Sequence, residues 1–131
     1  MMFKPSILVA FIPALVAGKP LTADESLEAR QQCLVNRSQI DLWVEDGLSR
    51  WRIAFSAEGT DPAGYCYYWI NHTQFEGCRT LFNPQCYVND VVGSWVVDVS
   101  SFRGPSGDAD FRGCYDRSLA QWMDDTGCAT G

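Results

Sequence analysis

Residues 39–56 read QIDLWVEDGLSRWRIAFS, and this stretch decides the fold. Apolar and polar side chains alternate on both sides of Asp46-Gly47, as they do in strands that each bury one face. Asp and Gly tolerate the positive backbone angles of a type I′ turn, which joins two antiparallel strands. The sequence therefore predicts a β-hairpin over 39–56.

Three more runs favour strands. Residues 65–70 read YCYYWI, the densest aromatic cluster of the chain, and aromatic residues fit a half-buried pleated surface. Strand alternation in this run turns either Tyr67 or Tyr68 outward. Shorter strands are predicted over 86–88 and 94–99.

Glycine and proline mark the connections between these strands. Residues 57–64 predict a loop, and so do residues 101–113, which hold three glycines and a proline. Asn83-Pro84-Gln85 predicts a turn.

One helix is predicted near each end. The residues from Thr22 to Glu25 fit a capping box that opens a helix over 23–35. Apolar residues recur at helical spacing from Tyr115 to Met123, and Gly127 fits the stop. The fold class predicted is α+β: a small disulfide-stabilised domain with a mostly antiparallel sheet of four to five strands and a helix near each end.

The first 18 residues have the layout of a secretory signal peptide. Lys4 precedes an apolar run over 6–17 that ends in small residues. This run is shorter than the roughly 20 apolar residues that span a bilayer. We therefore expect residues 1–18 to be removed, with cleavage after residue 17 or 18, and residues 19–131 to form a single secreted domain.

The charge of the mature chain excludes several partners. Removal of Lys4 leaves nine basic and 16 acidic side chains, a formal charge of −7. Nucleic acids and anionic lipids are bound by clustered Lys and Arg, whereas the basic residues here are scattered. Neither a nucleic acid nor a membrane is expected as a partner.

All six cysteines lie downstream of the predicted signal, in a chain bound for an oxidising compartment. Three disulfides are expected, and fifteen pairings are open. A zinc site is not expected, because the chain has no C-x-x-C pair and a single histidine, His72. No metal or other cofactor is predicted. The six residues are Cys33, Cys66, Cys78, Cys86, Cys114 and Cys128.

Two kinds of surface site are suggested by short patterns. Asn36 and Asn71 each begin an Asn-x-Ser/Thr tripeptide and are predicted acceptors of N-linked glycans in a eukaryotic source. Tyr67, Tyr68 and Trp69 are candidate binding aromatics, because exposed rings stack on sugars or anchor protein partners. The alternative is that these rings fill the core.

No catalytic constellation is evident. Any mechanism that needs an imidazole must use His72, which lies inside the second glycosylation tripeptide. Neighbouring acidic side chains usually diverge along a chain, so the three acidic pairs are expected to be solvated surface charges rather than parts of a catalytic or calcium site. These pairs are Glu45 with Asp46, Asp108 with Asp110, and Asp124 with Asp125. The protein is therefore predicted not to be an enzyme.

The signal peptide, the size of the mature domain, the six cysteines and the acidic charge together resemble the small cysteine-rich secreted proteins of plant-associated fungi. Many of these are effectors, so the resemblance implies a non-enzymatic virulence protein that binds a host protein and modulates host immunity, at the cell surface or after uptake. An alternative is an extracellular, lectin-like protein that binds a cell-wall glycan. A third is a small secreted hydrolase or protease inhibitor.

Overall fold

The predicted hairpin forms, and both of its strands are longer than the alternating pattern. β1 (Leu34–Glu45) and β2 (Leu48–Glu58) pair antiparallel in the computed structural model, which describes residues 33–131. Asp46 and Gly47 have φ angles of 54° and 78°, the positive values that a type I′ turn requires. The hairpin over 39–56 is thus confirmed, and β2 extends into the predicted loop over 57–64.

The helix predicted over 23–35 is wrong at its C-terminal end. Leu34 and Val35 begin β1 and pair with Glu58 and Ala57. This pairing places the Val35 side chain in the core, where it is fully buried, and that burial outweighs the local helical pattern. Residues 23–32 lie outside the described residues.

Two further antiparallel strands extend the sheet. β3 (Phe82–Asn89) and β4 (Ser94–Ser101) confirm the strands predicted over 86–88 and 94–99. The strand order is β3-β4-β2-β1-β5, in which the short β5 (Ala129–Thr130) runs parallel to the start of β1. β3 therefore lies at one edge of the sheet.

The turn predicted at Asn83-Pro84-Gln85 is wrong, because these residues lie within β3. The pairing register between β3 and β4 shifts between Phe82 and Gln85, and Asn83 has a φ of 47°. Proline lacks an amide hydrogen, and an edge strand with a bulge tolerates that loss.

The strand predicted over 65–70 is also wrong. A 3₁₀ helix (Pro62–Tyr65) leads directly into α1 (Cys66–Ile70). Asp61 causes this change, since its side chain accepts a hydrogen bond from the Ala63 amide while proline occupies the next position. Both features are typical of helix starts.

The loop predicted over 101–113 is wrong beyond residue 104. A 22-residue helix, α2 (Pro105–Thr126), begins there. Gly107 permits close contact rather than breaking the helix, because a Cβ atom there would lie 1.7 Å from the Phe102 carbonyl oxygen. The predicted stop is confirmed, since Gly127 adopts the left-handed conformation with a φ of 75°.

α1 and α2 cover one face of the sheet, here called the core face. Trp51, Ile53 and Phe55 of β2 point into it, together with buried valines of β4. The Trp51 ring stacks on Phe111 of α2 with 4.0 Å between the ring centroids. Burial of these apolar side chains is the main force that holds the helices to the sheet.

Three disulfides form, as predicted, and each joins two separate parts of the chain. They connect Cys33 with Cys128, Cys66 with Cys86, and Cys78 with Cys114. The described part of the chain is a small, disulfide-stabilised α+β domain with a five-stranded, mostly antiparallel sheet. Within residues 33–131, no helix has the length and apolar character needed to cross a membrane.

Candidate binding face

The other side of the sheet, here called the open face, carries a row of polar and aromatic side chains across four strands. No described helix packs against it. On β2 and β4 this polar row alternates with buried residues of the core face. It consists of Trp43 on β1, Arg52 on β2, Asp98 on β4 and Tyr87 on β3.

Arg52 is the centre of the polar row. Its Nε and Nη2 atoms donate to Oδ1 and Oδ2 of Asp98 at 2.8 and 2.9 Å, and Asp98 is only 4% exposed. The Tyr87 hydroxyl donates to Asp98 Oδ2 at 2.7 Å and accepts from Arg52 Nη2 at 3.0 Å. Each group fixes its neighbour, so the row is held in one arrangement before any ligand binds.

The same contacts fix the protonation of two of these groups. The hydrogen bond to Asp98 raises the pKa of Arg52 further above its ordinary value. Burial, followed by the hydrogen bond to Asp98, raises the pKa of Tyr87 above its usual range. Neither side chain exchanges a proton near neutral pH, so both act as fixed binding groups.

Trp43 is the large aromatic side chain of the open face. The guanidinium carbon of Arg52 lies 5.1 Å from the centroid of its half-buried ring, a cation–π contact. Its Nε1 atom donates to Glu45 Oε1 at 3.0 Å. These contacts orient the indole at one end of the polar row.

A cavity of about 320 Å³ opens next to Glu45, the residue that accepts the hydrogen bond from Trp43. Arg50, the cross-strand partner of Trp43, lines it, and so do carboxylate, amide and hydroxyl groups. A wider depression of about 620 Å³ is lined by residues of α2 alone. The lining residues of the smaller cavity are Glu45, Asp46, Leu48, Arg50, Asn83, Pro84, Gln85 and Ser100.

The structure separates the three aromatics predicted to bind a partner. Tyr67 is 61% exposed, whereas Tyr68 is 4% and Trp69 is 0% exposed. One member of the tyrosine pair thus faces outward as expected, although on a helix. The Tyr68 hydroxyl donates to Asp125 of α2. Tyr67 is therefore the one of the three that a partner can reach.

The two glycosylation tripeptides lie in different settings. Asn36 is exposed on the open face near the start of β1, about 20 Å from Trp43 at the usual rise of a strand. Asn71 is half-buried, and its Nδ2 atom donates to the Tyr67 carbonyl at 3.0 Å. Glycosylation at both stays a prediction, and a glycan on Asn36 leaves the Trp43 end of the open face clear.

The remaining candidates for chemistry stay apart. The Nδ1 atom of His72 lies 3.3 Å from the Cys78 carbonyl oxygen, within a turn. Asp108, Asp110 and Asp124 lie along α2, away from the open face. Over residues 33–131, no three His, Cys, Asp or Glu side chains converge on a point that suits a metal ion.

The polar row was not among the residues singled out from the sequence. Two signals point to it: Arg50 and Arg52 alternate with Trp51 and Ile53, and Asp98 interrupts the apolar run over 95–99. Comparison of the chain with protein-family models, curated proteins and solved structures gives no match. The function must therefore be inferred from the geometry of these residues.

Proposed function

We propose that this chain is a secreted, non-enzymatic effector that binds a host protein through the open face and thereby modulates host immunity. The observation that supports this is the polar row, which presents Trp43, Arg52 and Tyr87 on a face that no described helix covers. Trp, Tyr and Arg are the side chains that most often dominate the binding energy of protein interfaces.

The rigidity of the row favours tight binding. Ordering a long side chain at an interface costs about 0.5–1.5 kcal/mol. Arg52 is already held by Asp98 and Tyr87, so little of this cost remains when a partner docks. The exposed edge of the Trp43 ring then provides apolar area at the end of the row.

The disulfides support action outside the producing cell. Three disulfides in a small domain are typical of oxidising compartments, and they agree with the signal peptide predicted over 1–18. The proposed site of action is the host cell surface, or the host interior after uptake.

The test applies the purified mature chain to host leaf tissue and measures the burst of reactive oxygen that follows a standard elicitor. We expect wild type to change this burst and Trp43→Ala to lose the effect. The matched control is Val91→Ser, because Val91 is 98% exposed in the β3–β4 connection and makes no contact described for Trp43. Equal activity of the two variants would contradict the proposed binding face.

A second candidate is an extracellular protein that binds a cell-wall carbohydrate. The observation that favours it is the cavity next to Glu45, which offers hydrogen-bond donors and acceptors and whose wall residue Glu45 accepts a hydrogen bond from the Trp43 ring. A glycan array with wild type and Trp43→Ala tests this candidate, and binding that Trp43→Ala retains in full would count against it.

A further inference from the structure

Arg50 is a buried cation without a carboxylate partner among the described residues. Arg50 is only 4% exposed, and no Asp or Glu oxygen of the described chain lies within 4.0 Å of its guanidinium nitrogens. Buried charges in proteins are normally paired, because removing a charge from water is costly. Arg52, its neighbour along the face, has such a pair in Asp98.

The partners of Arg50 are all neutral. Nη1 donates to the Asn83 carbonyl at 2.6 Å and to Ser100 Oγ at 3.0 Å, and Nη2 donates to Gln85 Oε1 at 3.0 Å. Among residues 33–131, no acceptor takes the Nε hydrogen or the second Nη2 hydrogen. The planar guanidinium thus keeps free donors of the kind that bind a carboxylate in a bidentate way.

The bulge in β3 builds this arrangement. Asn83 adopts a positive φ of 47° where the register shifts, and its carbonyl oxygen points at Arg50. Pro84 follows and restricts the backbone. Arg50 is therefore held in place by residues that line the same cavity.

The other walls of the cavity select among anions. Glu45 and Asp46 also line it, and their negative charge repels a doubly charged phosphate group more strongly than a singly charged carboxylate. The same carboxylates accept hydrogen bonds from hydroxyl groups. Glu45 is additionally oriented by the indole of Trp43, whose ring is of the type that packs against a sugar.

The size of the cavity fits a small ligand. Its volume of about 320 Å³ lies at the lower end of the range of about 300–1,000 Å³ found for small-molecule pockets. One ring with one carboxylate and several hydroxyl groups satisfies the free donors of Arg50 and the acceptors of Glu45 and Asp46 together.

We propose that the cavity beside Arg50 binds a carboxylated sugar residue, a uronic acid, with its carboxylate on Arg50 and its hydroxyl groups on Glu45 and Asp46. This proposal deepens the carbohydrate-binding candidate and is independent of the host-protein proposal. It assigns the carboxylate as the group that the site recognises, and it places the sugar ring against Glu45, which accepts a hydrogen bond from Trp43.

The test is calorimetric titration of the mature chain with D-galacturonate, and with D-galactose as the matched neutral sugar. We expect saturable binding of galacturonate. Galactose should bind with an affinity lower by about tenfold or more, because it lacks the hydrogen-bonded carboxylate. Arg50→Lys keeps the charge but lacks the planar guanidinium, so its affinity for galacturonate should fall by about the same factor. Arg103→Lys, at an exposed arginine outside the cavity, should bind like wild type.

Leu48→Trp provides a second variant, which leaves Arg50 intact and adds bulk to the cavity wall. Its binding should be lost while its circular dichroism spectrum matches that of wild type. Equal binding of galactose, equal binding of inorganic phosphate, or undiminished binding by Leu48→Trp would each overturn the proposal. Absence of any sugar binding would also overturn it, and a loss of the immune effect in Trp43→Ala would then still support the host-protein proposal.

Discussion

The two faces of the sheet are built from the same strands and held by different forces. On β2, Trp51 and Ile53 bury apolar surface under α2, whereas Arg50 and Arg52 alternate with them and lie on the other face. The core face gains its free energy from the removal of apolar area from water. The open face places two arginines in hydrogen-bonded positions, an arrangement that contributes little net stability.

This difference indicates which face serves function. Buried ion pairs are often replaceable by apolar residues without loss of stability, so we expect the domain to fold without the Arg52–Asp98 pair. Its geometry instead positions Trp43 and Tyr87. We therefore expect the core face to determine mainly the stability of the domain, and the open face to determine mainly its binding.

The largest effect is expected from Trp51→Ala on the core face. Loss of a ring that is 2% exposed and stacked on Phe111 leaves a cavity, and such changes cost about 3–5 kcal/mol. Urea denaturation of wild type and variant measures the change in unfolding free energy. A cost below that of Trp43→Ala would contradict the assignment of the two faces.

A smaller loss is expected from Arg52→Ala. Asp98 then stays buried without its cation, and because Arg52 itself is partly exposed we expect a cost of about 2–3 kcal/mol. The double variant Arg52→Met with Asp98→Val removes both charges and should recover most of this loss. Urea denaturation measures the unfolding free energy of each variant. A double variant less stable than Arg52→Ala would show that the pair itself stabilises the fold.

Alkaline pH should destabilise both sides of the sheet. Burial is the main cause that raises the pKa of Tyr65, Tyr68 and Tyr87, with a further rise from Asp125 at Tyr68 and from Asp98 at Tyr87. A raised pKa in the folded state gives stability that is complete below about pH 10, the ordinary pKa of tyrosine, and is lost as the pH rises through the folded value.

Denaturation midpoints across this alkaline range, together with the ultraviolet absorbance of tyrosinate, measure the effect. Tyr68→Phe should reduce the loss of stability above about pH 10. Ionisation of these tyrosines in a chain that remains folded and equally stable would contradict the prediction.

The smallest effect on stability is expected from Trp43→Ala. The half-buried ring gives up one hydrogen bond to Glu45 and one cation–π contact, a loss of about 1 kcal/mol. Thermal unfolding measures it, and a near-native midpoint allows any loss of binding in this variant to be attributed to the open face.

Local patterns predicted the hairpin and the end of α2, because alternation around Asp46-Gly47 and a closing Gly127 act over a few residues. The strand prediction over 65–70 was wrong because six consecutive apolar residues have no periodicity that separates a strand from a helix. The signal for a helix, Asp61 before Pro62, lies outside this run. The glycines over 101–113 indicated a loop, whereas Gly107 serves a contact with Phe102.

The candidate site depended on contacts that no local pattern encodes. Alternation on β2 places Arg50 and Arg52 on one face, but the pairing of Arg52 with Asp98 requires β2 to lie beside β4. The disulfide pairing depends on the same long-range order. The sequence therefore predicted the fold class and the cysteines, and the polar row emerged only from the arrangement of the strands.

The indole signals of the five tryptophans test directly whether ligands bind on the open face. In a titration of the mature chain with D-galacturonate followed by NMR, the Nε1–H signal of Trp43 should shift and saturate. The signal of Trp51, whose Nε1 donates to Ser101 on the core side, should stay in place. A shift of Trp51 with Trp43 unmoved would contradict the account.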